Sequence, residues 1–291
     1  MKQSTRIILI LCAVGAIILV FGLGLMFRGT VGDKTKPGAL VTEHTDAAID
    51  DSCEIVCWGD SLTEGIGASA AFIESGLNTF DASYLSYPEI LQKLTGIRTY
   101  NFGVEGATSA EIAYMQGGYQ PTADELADFE NVDLSVMQEA ASHKGDVLII
   151  AMGSNGGWDF DYDILIAQYR SMIEYAECNQ YIIVGDTDDP GSSLVDSDDW
   201  GYDHGTGVEE TAWEAALREA FGEHFINMRL YLVEHGLEVT GLTPTAEDNE
   251  LIAYGGVPEQ LRSDWTHLNS YGYYAQALAI YQKGQELGYW E

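Results

Sequence analysis

Positive charge is what this sequence has least of. Thirteen lysines and arginines face 46 aspartates and glutamates in 291 residues, a formal charge of −33. The deficit is unevenly placed. Residues 1–51 carry five basic side chains (Lys2, Arg6, Arg28, Lys34, Lys36) and five acidic ones (Asp33, Glu43, Asp46, Asp50, Asp51), so the rest of the chain holds all of it. A domain this acidic repels phosphate backbones and anionic lipid surfaces, which argues against nucleic acid as a partner. A solvated, self-repelling surface on a secreted protein is the simpler reading. Cysteine is scarce too. Cys53 and Cys57 stand four apart on a presumed strand, roughly 13 Å when extended, too far to bridge each other. That leaves a Cys53–Cys178 bridge or three buried free thiols. No cysteine spacing suggests zinc, and no metal or cofactor is expected.

Long apolar runs are confined to one place. Ile7 to Phe27 is 21 residues without a charge, which as a helix spans roughly 31 Å, about one hydrocarbon core. Lys2 and Arg6 precede it. The run is longer than a usual signal-peptide core, no A-x-A-like site follows Phe27 closely, and Leu11 before Cys12 does not fit a lipoprotein signal. These features favour an uncleaved anchor, residues 1–28, over a cleaved signal. Arg28, Lys34 and Lys36 blur the charge asymmetry that would set its orientation. Residues 29–51 are polar, hold Gly32, Pro37 and Gly38, and show no sustained period, as a tether would. The expected organisation is thus an anchor, a linker and a domain over 52–291.

Within that domain, apolar runs fall at 53–58, 97–102, 146–152, 180–185 and 224–228. They are continuous rather than alternating, the pattern of strands buried on both faces of a parallel sheet. Helical stripes fill the gaps, among them Leu165, Gln168, Tyr169, Met172 and Ala176, and Tyr274, Ala277, Leu278 and Tyr281. Strand–helix alternation through five strands predicts an α/β fold, a three-layer doubly wound sandwich whose sheet is mostly parallel. Ligands in such folds bind at the carboxyl ends of the strands.

The chemistry-bearing blocks fall there. Ile55 to Trp58 ends abruptly in Gly59-Asp60-Ser61-Leu62-Thr63-Glu64-Gly65, a strand that turns sharply into a helix or tight loop. A serine at such a corner is either an N-cap or a nucleophile with free backbone N–H groups beside it, and these residues alone do not choose. Near the C-terminus, Asp264 and His267 stand three apart in Ser263-Asp264-Trp265-Thr266-His267, so the carboxylate can reach the imidazole. A histidine oriented in this way can take a serine's proton and later return it. Between them lie Asn101-Phe102-Gly103-Val104-Glu105-Gly106 and Gly153-Ser154-Asn155-Gly156, each after a strand-like run.

These four blocks, in this order, resemble the SGNH (GDSL-type) hydrolase family from Cys53 to the C-terminus. The resemblance implies a serine ester hydrolase. Ser61 would be the nucleophile, His267 the base and Asp264 its orienting carboxylate. The oxyanion hole would comprise the Ser61 and Gly106 N–H groups and the Asn155 side-chain amide. The third block departs from the family's usual Gly-x-Asn-Asp, because Gly156 follows Asn155. The missing aspartate bears on the rigidity of that loop more than on the chemistry.

Other candidates carry less. Asp60 reads as a group that hydrogen-bonds the turn. His44, His143, His204, His224 and His235 read as surface or structural. Asp196 to Asp203 looks slightly like a calcium loop, but Trp200 stands where a ligand is wanted and no glutamate closes it at the twelfth position. It reads better, with Gly157 to Phe160, as a wall of the substrate cleft. Tyr169, Tyr274 and Tyr281 read as core. The expected activity is removal of a short acyl group, such as acetyl, from a carbohydrate or cell-wall polymer outside the cell membrane, through an acyl-Ser61 intermediate. The expected partners are an acylated small-molecule or glycan substrate and, for the N-terminal helix, the membrane. An acyltransferase using the same residues, or a non-catalytic carbohydrate-binding surface protein on this scaffold, are the alternatives.

Overall fold

A computed structural model describes residues 49–75, 78–187 and 209–290. The apolar run Ile7–Phe27, most of the tether, His44, His204 and the acidic stretch 196–203 lie outside the described residues. Among the described residues, no helix is long and apolar enough to cross a membrane.

The first element among the described residues is strand β1 (Asp50–Gly59), which starts two residues before the expected domain boundary. A one-turn helix α1 (Ser61–Glu64) follows, then an antiparallel pair, β2 (Phe72–Ser75) and β3 (Asn78–Asp81), helix α2 (Tyr87–Thr95) and β4 (Ile97–Gly103). Helices α3 (Ser109–Gln116), α4 (Ala123–Asp128) and α5 (Leu134–Ala140) lead to β5 (Val147–Ala151). Helix α6 (Tyr162–Ala176) leads to β6 (Tyr181–Val184). Beyond residue 208 come α7 (Ala212–Phe221), the short β7 (Phe225–Ile226), α8 (Met228–Thr240), α9 (Ala246–Ala253) and α10 (Ser270–Leu287).

The five strands expected from the apolar runs form one sheet in the order β4-β1-β5-β6-β7, and every pairing is parallel. The expected parallel sandwich is therefore present. The two-stranded β2–β3 sheet lay outside what hydrophobic pattern alone suggested. Both faces of the main sheet are covered, which explains the unbroken apolar runs. Ile55 and Cys57 of β1 point into a core built with Ile90 and Leu91 of α2, Leu232 of α8 and Tyr273 and Ile280 of α10. Val56 and Trp58 point the other way, onto Ile112 of α3, Leu165 and Tyr169 of α6 and Trp213 of α7. Alternate residues of one strand thus belong to different cores. Tyr169 and Tyr274 are buried and Tyr281 packs against the first core, as read from their stripes.

Strand order decides where a ligand can sit. After β1 the chain moves to one neighbour, β4, and then crosses over to the other, β5. The loops leaving β1 and β5 at their carboxyl ends diverge, which opens a crevice at this switch point. Ser61 lies directly after β1, Gly106 after β4 and Asn155 after β5.

Candidate active site

Ser61 owes its position to a tight corner. Gly59 ends β1 so close to its surroundings that a Cβ there would lie 2.0 Å from Thr63 Oγ1 and 2.4 Å from the Ala151 carbonyl oxygen. Only hydrogen fits, so the strand can turn directly into α1. Asp60 then caps that helix, with Oδ1 accepting the Leu62 N–H at 3.0 Å. Asp60 therefore does hydrogen-bond the turn, as its sequence position suggested, and Ser61 is the first helical residue rather than its cap.

The far end of the chain meets this corner. His267 Nε2 lies 3.0 Å from Ser61 Oγ, across 206 residues of sequence. On its other side, Nδ1 lies 3.1 and 3.0 Å from the two carboxylate oxygens of Asp264. With Nδ1–H donating to the carboxylate, Nε2 is the acceptor that faces the serine hydroxyl. The backbone N–H groups of His267 and Thr266 also donate to Asp264 Oδ1, at 2.8 and 2.9 Å. Partial burial works against the charge on Asp264. The two N–H groups and the ring outweigh it and hold the carboxyl below its usual range. Ser61 is buried, the His267 side chain is mostly so, and the Asp264 carboxylate is half exposed.

The loop bearing these two residues is braced against the Ser61 corner. Tyr273 donates its hydroxyl hydrogen to the Ile66 carbonyl at 2.5 Å, and Ser270 Oγ accepts the Ser69 N–H at 2.9 Å. Asn269 ties the loop internally, donating to the carbonyls of Gln260 and Arg262.

Gly106 follows β4 at φ +75°, a conformation that favours glycine. Among the described residues, its N–H and that of Ser61 donate to no partner. The Asn155 amide is already engaged. Nδ2 donates to the Ala107 carbonyl at 3.2 Å and, more weakly, to Asp60 Oδ2 at 3.4 Å. The structure thus places Asn155 beside the Ser61 corner and adds Asp60 as a partner of its amide. Burial pushes the Asp60 carboxyl up to about 7, against the pull of the Leu62 N–H, and the Asp186 carboxylate adds to the rise.

The departure from Gly-x-Asn-Asp does not leave the Asn155 loop loose. Ser109 donates both its N–H and its hydroxyl to the Gly156 carbonyl at 3.0 Å, and Gln168 Nε2 donates to the Gly157 carbonyl at 2.7 Å. Trp158 is buried and gives its indole N–H to the Gly153 carbonyl at 2.8 Å. Of the residues read as a cleft wall, Trp158 thus belongs to the core, whereas Phe160 is exposed.

Cys53, Cys57 and Cys178 are free thiols. His143 does find a carboxylate, Glu54 at 3.1 Å, but it stacks on Tyr100, which pairs with Val56 midway along β1. His224 faces the Tyr181 carbonyl and the Tyr289 hydroxyl. Among the described residues, no group of three or more histidine, cysteine, aspartate or glutamate side chains could hold a metal ion. Sequence reading missed Glu64, Glu111 and Asn131, whose contacts with the Gly106 turn are described below. Their only sequence signal was the Thr108–Glu111 spacing of a capping box.

Comparison with known proteins gives one family match and several similar folds. The GDSL-like Lipase/Acylhydrolase family matches residues 57–275. No curated protein matches by sequence. Among solved structures, the chain is similar to a carbohydrate esterase family 2 enzyme with a carbohydrate-binding domain from Corynascus thermopiles (Myceliophthora fergusii), at 13% identity and TM-score 0.44 over 83% of this chain and 68% of that one. It is also similar to a member of the lipolytic protein G-D-S-L family from Veillonella parvula DSM 2008, at 16% identity and TM-score 0.36 over 80% and 97%. A third is the salicylyl-acyltransferase SsfX3 from a tetracycline biosynthetic pathway, at 14% identity and TM-score 0.42 over 81% and 55%. Likeness at this level says nothing of a shared substrate.

Proposed function

Because the chain belongs to the GDSL-like lipase/acylhydrolase family, we propose that it is a serine esterase that removes short acyl groups, chiefly acetyl, from a carbohydrate or cell-wall polymer. The observation that carries this reading is the unbroken hydrogen-bonded line from Asp264 through His267 to Ser61. In the first half-reaction Ser61 Oγ attacks the ester carbonyl carbon while His267 Nε2 takes the hydroxyl proton. Asp264 holds the ring's tautomer and stabilises the imidazolium. The carbonyl oxygen becomes an oxyanion, received by the unengaged N–H groups of Ser61 and Gly106. The Asn155 amide joins them by giving up its contact to Asp60, the longer and weaker of its two. Collapse of the intermediate expels the sugar alkoxide, which takes the proton from His267 and leaves an acyl-Ser61 ester. Water then attacks that ester, with His267 again as the base, and releases the acid.

The substrate and the location rest on different support. The 21-residue uncharged run Ile7–Phe27 suits an export signal that stays in the membrane, leaving the domain outside on its tether. An exported acyl hydrolase meets acylated polymers there. The test is incubation of the full chain with nitrophenyl esters of increasing acyl length and with acetylated glycans, with and without a sugar acceptor. Release of free acetate from the glycans is the expected outcome. Acyl transfer to the acceptor in preference to water would replace hydrolysis with transferase chemistry, and no turnover of any ester would refute the reading.

A further inference from the structure

The turn that carries Gly106 is held by groups from three other parts of the chain, and we infer that Asn131 is a positioning residue for the Gly106 N–H. The inference rests on the hydrolase reading above. A glycine at positive φ is the residue whose flanking peptides rotate most easily, so an oxyanion donor built on it needs outside restraint. Restraint comes from both sides. Before Gly106, the Glu105 N–H donates to Oε2 of Glu64 at 2.7 Å, and Glu64 belongs to the same short helix as Ser61. After it, the Gly106 carbonyl accepts from Asn131 Nδ2 at 3.0 Å, and the Ala107 N–H closes the turn onto the Val104 carbonyl at 3.1 Å.

Asn131 is itself anchored. It lies on the segment between α4 and α5, 25 residues beyond Gly106. Its N–H and that of Glu130 donate to Glu111 Oε1, at 2.8 and 2.6 Å. The other oxygen of Glu111 takes the N–H and hydroxyl of Thr108 at 2.8 and 3.0 Å. One buried carboxylate therefore joins the start of α3, just after the Gly106 turn, to the segment that clamps the turn from outside. Burial opposes the charge on Glu111, but the donors from Asn131, Thr108 and Glu130 prevail and hold it ionised. An ionised acceptor makes these bonds stronger than neutral ones, so Asn131 has little freedom to follow a moving turn. The clamp fixes the peptide that follows Gly106 and Glu64 the peptide that precedes Glu105, so the Glu105–Gly106 peptide, which carries the Gly106 N–H, is held between two restrained neighbours.

The test compares wild type with Asn131→Ala and Asn131→Asp in the full chain. Asn131→Asp keeps the side chain's shape but replaces the donor facing the Gly106 carbonyl with an acceptor, so it serves where the alanine's void disturbs folding. Each protein is assayed for hydrolysis of p-nitrophenyl acetate, for inhibition by a trifluoromethyl ketone, whose adduct with Ser61 is an oxyanion, and for fluorophosphonate labelling. Both variants should lower kcat about tenfold, less than outright loss of a donor, while KM stays within twofold. The inhibition constant should rise by a similar factor, and Ser61 should still be labelled. Unchanged kcat in an active enzyme, or a loss expressed in KM with the inhibitor's affinity intact, would overturn this role alone. A wild type that neither turns over nor labels would overturn the hydrolase reading and this role with it.

Discussion

Asp60 allows a quantitative check on the electrostatics beside Ser61. Its carboxyl is fully buried and sits at about 7, against 3.8 for the free group. The folded protein therefore binds a proton at Asp60 that the unfolded chain has released. The resulting stability is present in full below about pH 4 and is lost as pH rises to about 7. A shift of this size corresponds to roughly 4 kcal/mol across that window, or roughly 10 °C in Tm for a domain of this size. Asp60→Asn removes the titration while keeping an oxygen that can accept the Leu62 N–H. The variant carries a constant offset, because its amide meets the Asn155 amide donor to donor. The slope is the quantity that matters. Thermal or urea unfolding from pH 4 to pH 8 should show wild type losing stability relative to Asp60→Asn between pH 4 and 7, then running parallel to it. Parallel curves throughout would mean that Asp60 is ionised in the fold, and the account of its environment would be wrong.

Other perturbations separate the roles at the site. His267→Ala should cost nearly as much activity as Ser61→Ala, because the ring moves the proton in both half-reactions; steady-state kinetics and fluorophosphonate labelling of each variant check this. Asp264→Asn should lower kcat by roughly 10³-fold or more through the wrong ring tautomer, although the His267 and Thr266 N–H groups can still hold the loop, so Tm should change little. Asn155→Ala should lower kcat by about 10²–10³-fold with KM nearly constant; a raised KM with kcat intact would make the amide a ground-state contact. Gly59→Ala forces a methyl against Thr63 and a backbone carbonyl, and should cost about 3 kcal/mol by chemical unfolding as well as misplacing Ser61.

Much of this protein could be read from its residues in isolation because the relevant physics is local or periodic. Strands buried on both faces must be apolar throughout, so Val147 to Ala151 and Tyr181 to Val184 announced themselves. A carboxylate three residues from a histidine can hold its ring within one loop, so Asp264 and His267 were legible as a pair. Gly59 before Asp60 and Ser61 marked the corner. What sequence could not contain is which distant groups meet. That Ser61 and His267 touch depends on β1 lying at the switch point and on α10 packing back across the sheet, since no local preference joins residues 206 apart. The β2–β3 pair escaped notice because its strands are only four residues each and one side is exposed, which leaves little hydrophobic signal. The partnership of Asn155 with Asp60, and the clamp of Glu111 and Asn131 on the Gly106 turn, are hydrogen bonds between single polar side chains and backbone groups brought together by packing. Such contacts have no period and no composition. Sequence thus determined the layers, the strands and the candidates for the reacting groups, which follow from burial pattern and side-chain chemistry. Tertiary structure alone decided their mutual geometry, because distance and orientation between remote segments are set only when both cores close around the sheet.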